Sequence, residues 1–425
     1  MLTSEASPPR QSTTRTVFAG LIGNVLEWFD YAVFGYFTAE IGTAFFPGNA
    51  DKKQLNTWIV FAIGFFMRPL GSLVLGRIGD RIGRRALLTL SIALMGGATL
   101  VIGLLPTYAQ VGALAPALLV LMRMIQGFSL GGEFTGSMVY TTELARPWMR
   151  GLVSSSTAAG TTLGYILGSG TAWLIGRSLS GPEKLAWGWR VPFIISILFC
   201  LAGWLLRRGL HESEEGETAA AQRPPLWPSL VQDWKPIVHT FGIVALTNAA
   251  YYLTFTFAVE YRKTHPGADH PDFQAINTLV LFAVLIAKPL GGWLSDLVGR
   301  RRLMLGLTVA IMAMLYIAFG MMTSGSAGQF MAGQLLLALP IGMALGLQGA
   351  MVVEIFPLRT RVTSMSLAYS VTLALSGGIA PLVATWLLDT MKQPMAPIYY
   401  TLIYGVIGLA LMLRMQETNR RSLAT

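Results

Sequence analysis

Apolar stretches long enough to cross the roughly 30 Å hydrocarbon layer of a bilayer recur twelve times along this chain. They lie near residues 16–42, 55–76, 86–106, 113–143, 152–177, 189–208, 236–260, 273–294, 303–323, 329–355, 364–390 and 397–415. No other feature constrains the fold as strongly. The bilayer core holds no water to satisfy backbone N–H and C=O groups, so each span must close its hydrogen bonds on itself, as a helix. Composition agrees. Charged residues make up 12% of the 425, about half the share of an average soluble domain. A larger soluble core cannot absorb the difference, because cores stop growing near about 300 residues. The sequence therefore predicts an all-α membrane protein of twelve transmembrane helices.

An even number of spans puts both termini on one side. Of the 31 Lys and Arg residues, 20 fall on that side, 8 on the other, and Arg68, Arg123 and Lys288 lie within spans. By the positive-inside rule the termini are cytoplasmic, in a bacterial-type inner membrane. The net charge of +10 thus reflects topology, and no nucleic-acid partner is expected. The lone Cys200 and the scattered His211, His239, His265 and His270 offer no disulfide framework and no metal spacing. No phosphate-binding glycine loop occurs, and no cofactor is expected. The polar N-terminus has no cleavage pattern after the first span, which reads as a retained span and not a signal peptide.

The two halves repeat. Gly76-Arg-Ile-Gly-Asp80-Arg-Ile-Gly83-Arg84-Arg85 follows the second span, and Gly292-Trp-Leu-Ser-Asp296-Leu-Val-Gly299-Arg300-Arg301 follows the eighth. Glu143 with Arg150 follows the fourth span, and Glu354 with Arg361 the tenth, each pair enclosing a proline. Parallel six-span repeats build one transporter architecture. The expected layout is two pseudo-symmetric bundles, 1–210 and 235–425, joined by an acidic, proline-containing cytoplasmic linker, 211–234.

The doubled G-x-x-x-D-R-x-G-R-R loop resembles the signature loop of the major facilitator superfamily. Gly23-Asn-Val-Leu-Glu27-Trp-Phe-Asp30-Tyr31, Arg68-Pro-Leu-Gly71 and Arg123-Met-Ile-Gln126-Gly-Phe-Ser-Leu-Gly-Gly-Glu133 are similar to its metabolite:proton symporter branch. That branch includes carriers of citrate, α-ketoglutarate, shikimate, proline and betaine. The resemblance implies alternating access without enzymatic chemistry, by a monomer in the bilayer that handles a small solute and protons.

Two groups of residues are candidates for mechanism. Asp80, Arg84, Arg85, Glu143, Arg150, Asp296, Arg300, Glu354 and Arg361 sit at helix ends on the cytoplasmic side. There, charge-assisted bonds made in only one arrangement of the bundles would favour that arrangement. Ionisable groups inside spans are costly and default to function. Glu27 and Asp30 lie three apart, able to face one side, and two carboxylates in low dielectric cannot both stay ionised cheaply, which suits loading and release of a proton. Glu133 is a third proton-coupling candidate. The alternative reading makes either carboxylate of the first span a structural partner of Arg68 or Arg123.

For the substrate, Arg123 offers forked donors to a carboxylate, with Gln126, Asn24, Tyr31 and Arg68 nearby in the pattern. Lys288 adds a cation that favours a carboxylate substrate, or else pairs with Glu260 or Asp30. Asn248, Tyr251 and Tyr252 in the seventh span and Gln348 in the tenth supply polar handles. Gly160, Gly164 and Gly168 read as helix packing. The leading expectation is proton-coupled import of a di- or tricarboxylate. The alternative is a zwitterion such as proline or betaine, its quaternary amine on an aromatic face such as Tyr251 or Trp28. Efflux and non-transporting sensing are further alternatives.

Overall fold

The computed structural model describes residues 13–82, 84–208, 226–264, 272–419 and 423, with the backbone alone at 13–23, 26, 76–77, 79–82, 84–89, 199, 202–208, 226, 264 and 324. Among the described residues, twelve helical rods cross the molecule. The first half holds α1 (Thr13–Tyr36, continued as Thr38–Phe45), α2 (Ala50–Ile82), α3 (Arg84–Leu104), α4 (Leu114–Ser129 and Glu133–Leu144), α5 (Arg150–Ser178) and α6 (Arg190–Arg208). A short helix, Leu226–Gln232, precedes the second half. That half holds α7 (Trp234–Tyr252, widened over Leu253–Phe257, then Ala258–Thr264), α8 (Phe273–Val298), α9 (Arg300–Ser324), α10 (Ala327–Ile355), α11 (Arg361–Leu373, widened over Ala374–Gly378, then Ala380–Met391) and α12 (Ala396–Leu413). Most of the expected linker lies outside the described residues.

Eight rods among the described residues are long and apolar enough to span a bilayer on those criteria alone. α5 is not among them, and its packing says why. It is buried along most of its length, against α1, α8 and α10, so it turns Ser, Thr and Gly towards protein where other helices turn Leu towards lipid. A Cβ on Gly164 would sit 2.5 Å from Val25 O, and one on Gly168 2.6 Å from Ala32 Cβ. Small residues let two membrane helices approach this closely.

The halves use one packing device twice. In the first, Gly71 of α2 lies under the backbone of Phe128 in α4; in the second, Gly291 of α8 lies under that of Met343 in α10. Each glycine follows a proline by two residues, Pro69 and Pro289. Where rods begin in water at the end away from the repeated loops, side chains cap them. Asp272 accepts from Ala275 N, and Ser326 with Gln329 forms a reciprocal box, satisfying amides that have no intrahelical partner.

Candidate functional site

Halfway along α1, two carboxylates expected to share a site part company. Glu27 pairs with Arg68 of α2 at 3.0 Å, both buried. Asp30 instead meets the Thr99 hydroxyl of α3 at 2.6 Å. Thr99 Oγ1 also lies 2.9 Å from Met95 O and accepts from Gln126 Nε2 at 2.6 Å. Gln126 Oε1 accepts from Arg123 Nη1 at 2.9 Å. A buried line therefore runs Asp30, Thr99, Gln126, Arg123 across α1, α3 and α4. The Arg123 guanidinium lies 4.7 Å from the Tyr31 ring and 4.3 Å from that of Phe34, and Arg68 lies 4.6 Å from Tyr31. These cation–π contacts help offset the loss of water around two buried cations.

The same depth is walled by aromatic rings from both halves. Trp28 and Tyr165 stand 6.1 Å apart, Tyr165 and Tyr251 5.2 Å, and Tyr251 and Tyr252 5.8 Å, each centroid to centroid. Phe65 and Tyr252 close another side at 5.6 Å. The Trp28 indole nitrogen and the Tyr251 hydroxyl are buried with no hydrogen-bond partner among the described residues, an expense that proteins seldom bear without use. Lys288 is bound to neither Glu260 nor Asp30. Its ammonium crosses to the first half, donating to Ala158 O at 2.6 Å and Thr161 Oγ1 at 2.9 Å, with the Tyr251 ring 5.9 Å away.

Other candidates lie around this group. Asn24 donates to Ser137 Oγ at 3.1 Å, Asn248 to Val244 O of its own helix at 2.9 Å, and Gln348 to the Tyr369 hydroxyl at 2.8 Å. Glu133, half-buried, opens the second segment of α4.

At the end that carries the repeated loops, the halves are held together by charge. Asp296 accepts from Gly151 N and Leu152 N of α5, both at 2.9 Å, and from Arg300 at 2.8 Å. A carboxylate at a helix N-terminus takes amides that have no other partner and meets the positive end of the helix dipole. Arg300 also reaches Glu354 at 3.2 Å, and Arg361 crosses to Glu143 at 2.6 Å. Arg150, buried, sits among Glu354, Arg300, Arg361 and Asp296. Gly151 and Gly292 meet so closely that a Cβ on either would fall 2.4 Å from the other's carbonyl oxygen. The side chains of Asp80, Arg84 and Arg85 lie outside the described residues.

The segment after α12 joins this group, which the sequence did not suggest. Glu417 accepts from Arg300 N at 2.7 Å, Thr418 donates to Glu354 at 2.8 Å, Asn419 to Asp296 O at 3.2 Å, and Arg361 to Leu423 O at 3.1 Å. Burial opposes the charge on Glu417, but backbone amides of Asn419, Arg301, Arg300 and Thr418 hold its carboxyl below the usual range.

The opposite end is sealed mainly by neutral groups. The Tyr36 hydroxyl donates to Phe255 O and accepts from Asn277, both at 2.9 Å. Gln334 donates to Asn277 Oδ1 at 2.9 Å, Gln274 to Ser169 Oγ at 2.7 Å, and Ser169 pairs with Thr278 at 2.7 Å. One ion pair, Lys263 with Glu260, stands beside them at 2.5 Å, and Lys263 also reaches Tyr36 O at 3.0 Å. Outside this seal is a cavity of about 550 Å³ lined by Tyr36, Glu40, Arg177, Lys184 and Lys263, among others. Tyr36, Asn277, Ser169 and Gln334 carry no charge and sit in no repeat, so only their polarity within apolar spans marks them in the sequence.

Two helical bundles bonded to each other at both ends, with buried charges and orphaned donors between, define a membrane solute carrier. The comparisons give the family. Residues 16–224 match the family model for sugar (and other) transporters, and residues 240–424 that of the major facilitator superfamily. The proline/betaine transporter of Salmonella typhimurium is 32% identical over 425 residues, covering 96% of this chain and 84% of its own length. The glycine betaine/proline/ectoine/pipecolic acid transporter OusA of Dickeya dadantii is 31% identical with the same coverage. Among solved structures, the proton:xylose symporter XylE bound to 6-bromo-6-deoxy-D-glucose aligns with TM-score 0.77 at 18% identity, covering 97% of this chain and 98% of that one. The chain belongs to the major facilitator superfamily; it is a multi-pass membrane transporter and not an enzyme.

Proposed function

We propose that this chain imports a small zwitterion of the proline or betaine class together with protons, by alternating access of its two bundles. The carrying observation is that each midplane cation already has at least one partner in the protein, although Arg123 Nε and Nη2 take none among the described residues. Arg68 is on Glu27, Arg123 reaches Asp30 through Gln126 and Thr99, and Lys288 is on α5. A di- or tricarboxylate needs several free cations. A zwitterion needs one carboxylate contact and a ring wall for its ammonium, which Trp28, Tyr165, Tyr251 and Tyr252 supply. The names of the relatives point the same way and give no support to the organic-acid expectation.

In this reading the Trp28 N–H and the Tyr251 hydroxyl are donors for the carboxylate, and Asp30 carries the coupled proton. The repeated loops and both termini face the cytoplasm, as the charge asymmetry implies. The test is uptake into proteoliposomes under an inward proton gradient, with glycine betaine, proline, citrate, α-ketoglutarate and shikimate side by side. Betaine or proline should accumulate and collapse with a protonophore. Accumulation of a carboxylate alone would overturn the zwitterion reading, and gradient-independent uptake would overturn the coupling.

A further inference from the structure

Thr99 has one hydrogen and two acceptors. Its oxygen lies 2.6 Å from Asp30 Oδ2 and 2.9 Å from Met95 O, and it cannot donate to both. Its acceptor side is fixed. Arg123 donates to Gln126 Oε1, which sets the amide so that Nε2 points at Thr99. One lone pair of Thr99 Oγ1 is therefore occupied and one remains.

This leaves two arrangements in which every hydrogen of the Thr99–Asp30 pair has an acceptor. With Asp30 ionised, the Thr99 hydrogen points at the carboxylate. With Asp30 protonated, the carboxyl O–H donates to the remaining lone pair of Thr99, and the Thr99 hydrogen turns to Met95 O. We propose that Thr99 is the positioning residue of the proton site: its hydroxyl turns with the charge of Asp30 and ties that charge, through Gln126, to Arg123. No proton passes through Thr99. The proton on Asp30 comes from and returns to water, and Thr99 only rotates. The inference rests on Asp30 as proton carrier, as proposed above.

Asp30, Thr99, Gln126 and Arg123 are all nearly inaccessible to solvent, so water cannot replace a lost partner cheaply. The charged groups around Asp30 are few among the described residues. Arg123 faces it from α4, and Glu27 with Arg68 lies one turn away along α1. From α6, Arg190 is engaged with Gly103 O and Leu105 O, and the arginines of α5, Arg150 and Arg177, lie near its two ends. Thr99 thus supplies the hydrogen bond that can follow the carboxylate.

The experiment is infrared titration of the full chain in detergent, with the Asp30 carboxyl band assigned by its loss in Asp30→Asn. Thr99→Val keeps the shape and removes the hydroxyl. A hydrogen bond to a charged group outweighs one to a neutral group by about the free energy of one pH unit. The midpoint in Thr99→Val should therefore move to higher pH by about one unit, and Thr99→Ser should restore the wild-type midpoint. An unchanged midpoint in Thr99→Val would overturn the proposal. So would a shift equally large in Thr99→Ser. Should Thr99→Val not fold, Thr99→Ala carries the same expectation. This readout needs no substrate. Proteoliposome uptake by Asp30→Asn separately tests the coupling role, and retained gradient-driven uptake there would remove Asp30 as carrier while leaving the Thr99 titration result intact.

Discussion

The two ends of this carrier close by different chemistry. At the end with the repeated loops, Asp296, Arg300, Glu354, Arg361 and Glu143 do the holding, and Asp296 reaches backbone amides across the seam. At the other end Tyr36, Asn277, Ser169, Gln274 and Gln334 hold mainly through hydroxyls and amides, and the Lys263–Glu260 pair adds charged bonds across the seam, with Lys263 donating to Tyr36 O and Glu260 accepting from Thr38. Hydrogen bonds to charged groups are worth about 1.5–3 kcal/mol each and neutral ones about 1 kcal/mol. The loop end is therefore the stronger latch per contact. Under the orientation proposed above, with the termini in the cytoplasm, this would favour an empty carrier that opens outward, ready to collect solute.

Substitutions can break that contrast, and the largest effect belongs to Asp296. Asp296→Ala removes the acceptor of two amides and of Arg300, so the balance should shift towards opening at the loop end by about 100-fold or more. A cysteine at Ser155, close to the Gly151–Gly292 contact, should then react with an impermeant thiol reagent from that side. The native Cys200 is buried and should add little background.

Tyr36→Phe strikes the neutral seam and should shift the balance about tenfold towards opening at the other end, read by the same labelling from the opposite side. Raising salt should leave the Tyr36→Phe effect unchanged. Glu143→Gln breaks the Arg361 pair. Because the Glu143 side chain is 37% exposed, solvent already weakens that pair, and a change of about threefold is expected, smaller still at high salt.

The smallest effect concerns Glu417. Its folded carboxyl lies below the usual range, so its contribution is present above the unfolded value of about 4.3 and fades as pH falls through the folded one. The difference in thermal midpoint between wild type and Glu417→Gln should be constant from about pH 5 to 8 and shrink in acid. A difference that changes across the neutral range would mean the clasp works through another group.

How much of this could be read from the sequence follows the same division. Charges are rare in a membrane chain, so Asp296, Arg300, Glu354 and Arg361 stood out, and their repetition marked them as candidates for a latch. Arg68, Arg123, Glu27 and Asp30 stood out for the same reason, although which carboxylate met which cation depended on helix rotation that spacing leaves open. Lys288 was visible as a buried cation, but its commitment to the α5 backbone was not, since a carbonyl has no letter in the sequence. Thr99, Tyr36, Asn277 and Ser169 were missed because hydroxyls and amides are common in membrane helices and most only bond the preceding turn, as Thr171 does to Leu167 O. The clasp after α12 was missed because its contacts are made mainly with main-chain atoms.

Asp296 grips amides, and amides are anonymous: whatever residue stands at 151 or 152, the N–H is the same, provided it is not proline and, at 151, that it is small. What matters is where α5 starts. One residue inserted within α5 just after Leu152 would turn the helix start by about 100° against the rest of the rod and carry both donors away from Asp296 without replacing a single charged side chain. This helix start should therefore record its history in indels, tolerating many spellings at Leu152 and no change of length, and a one-residue insertion scan through 153–157 would find a boundary that alanine scanning passes over.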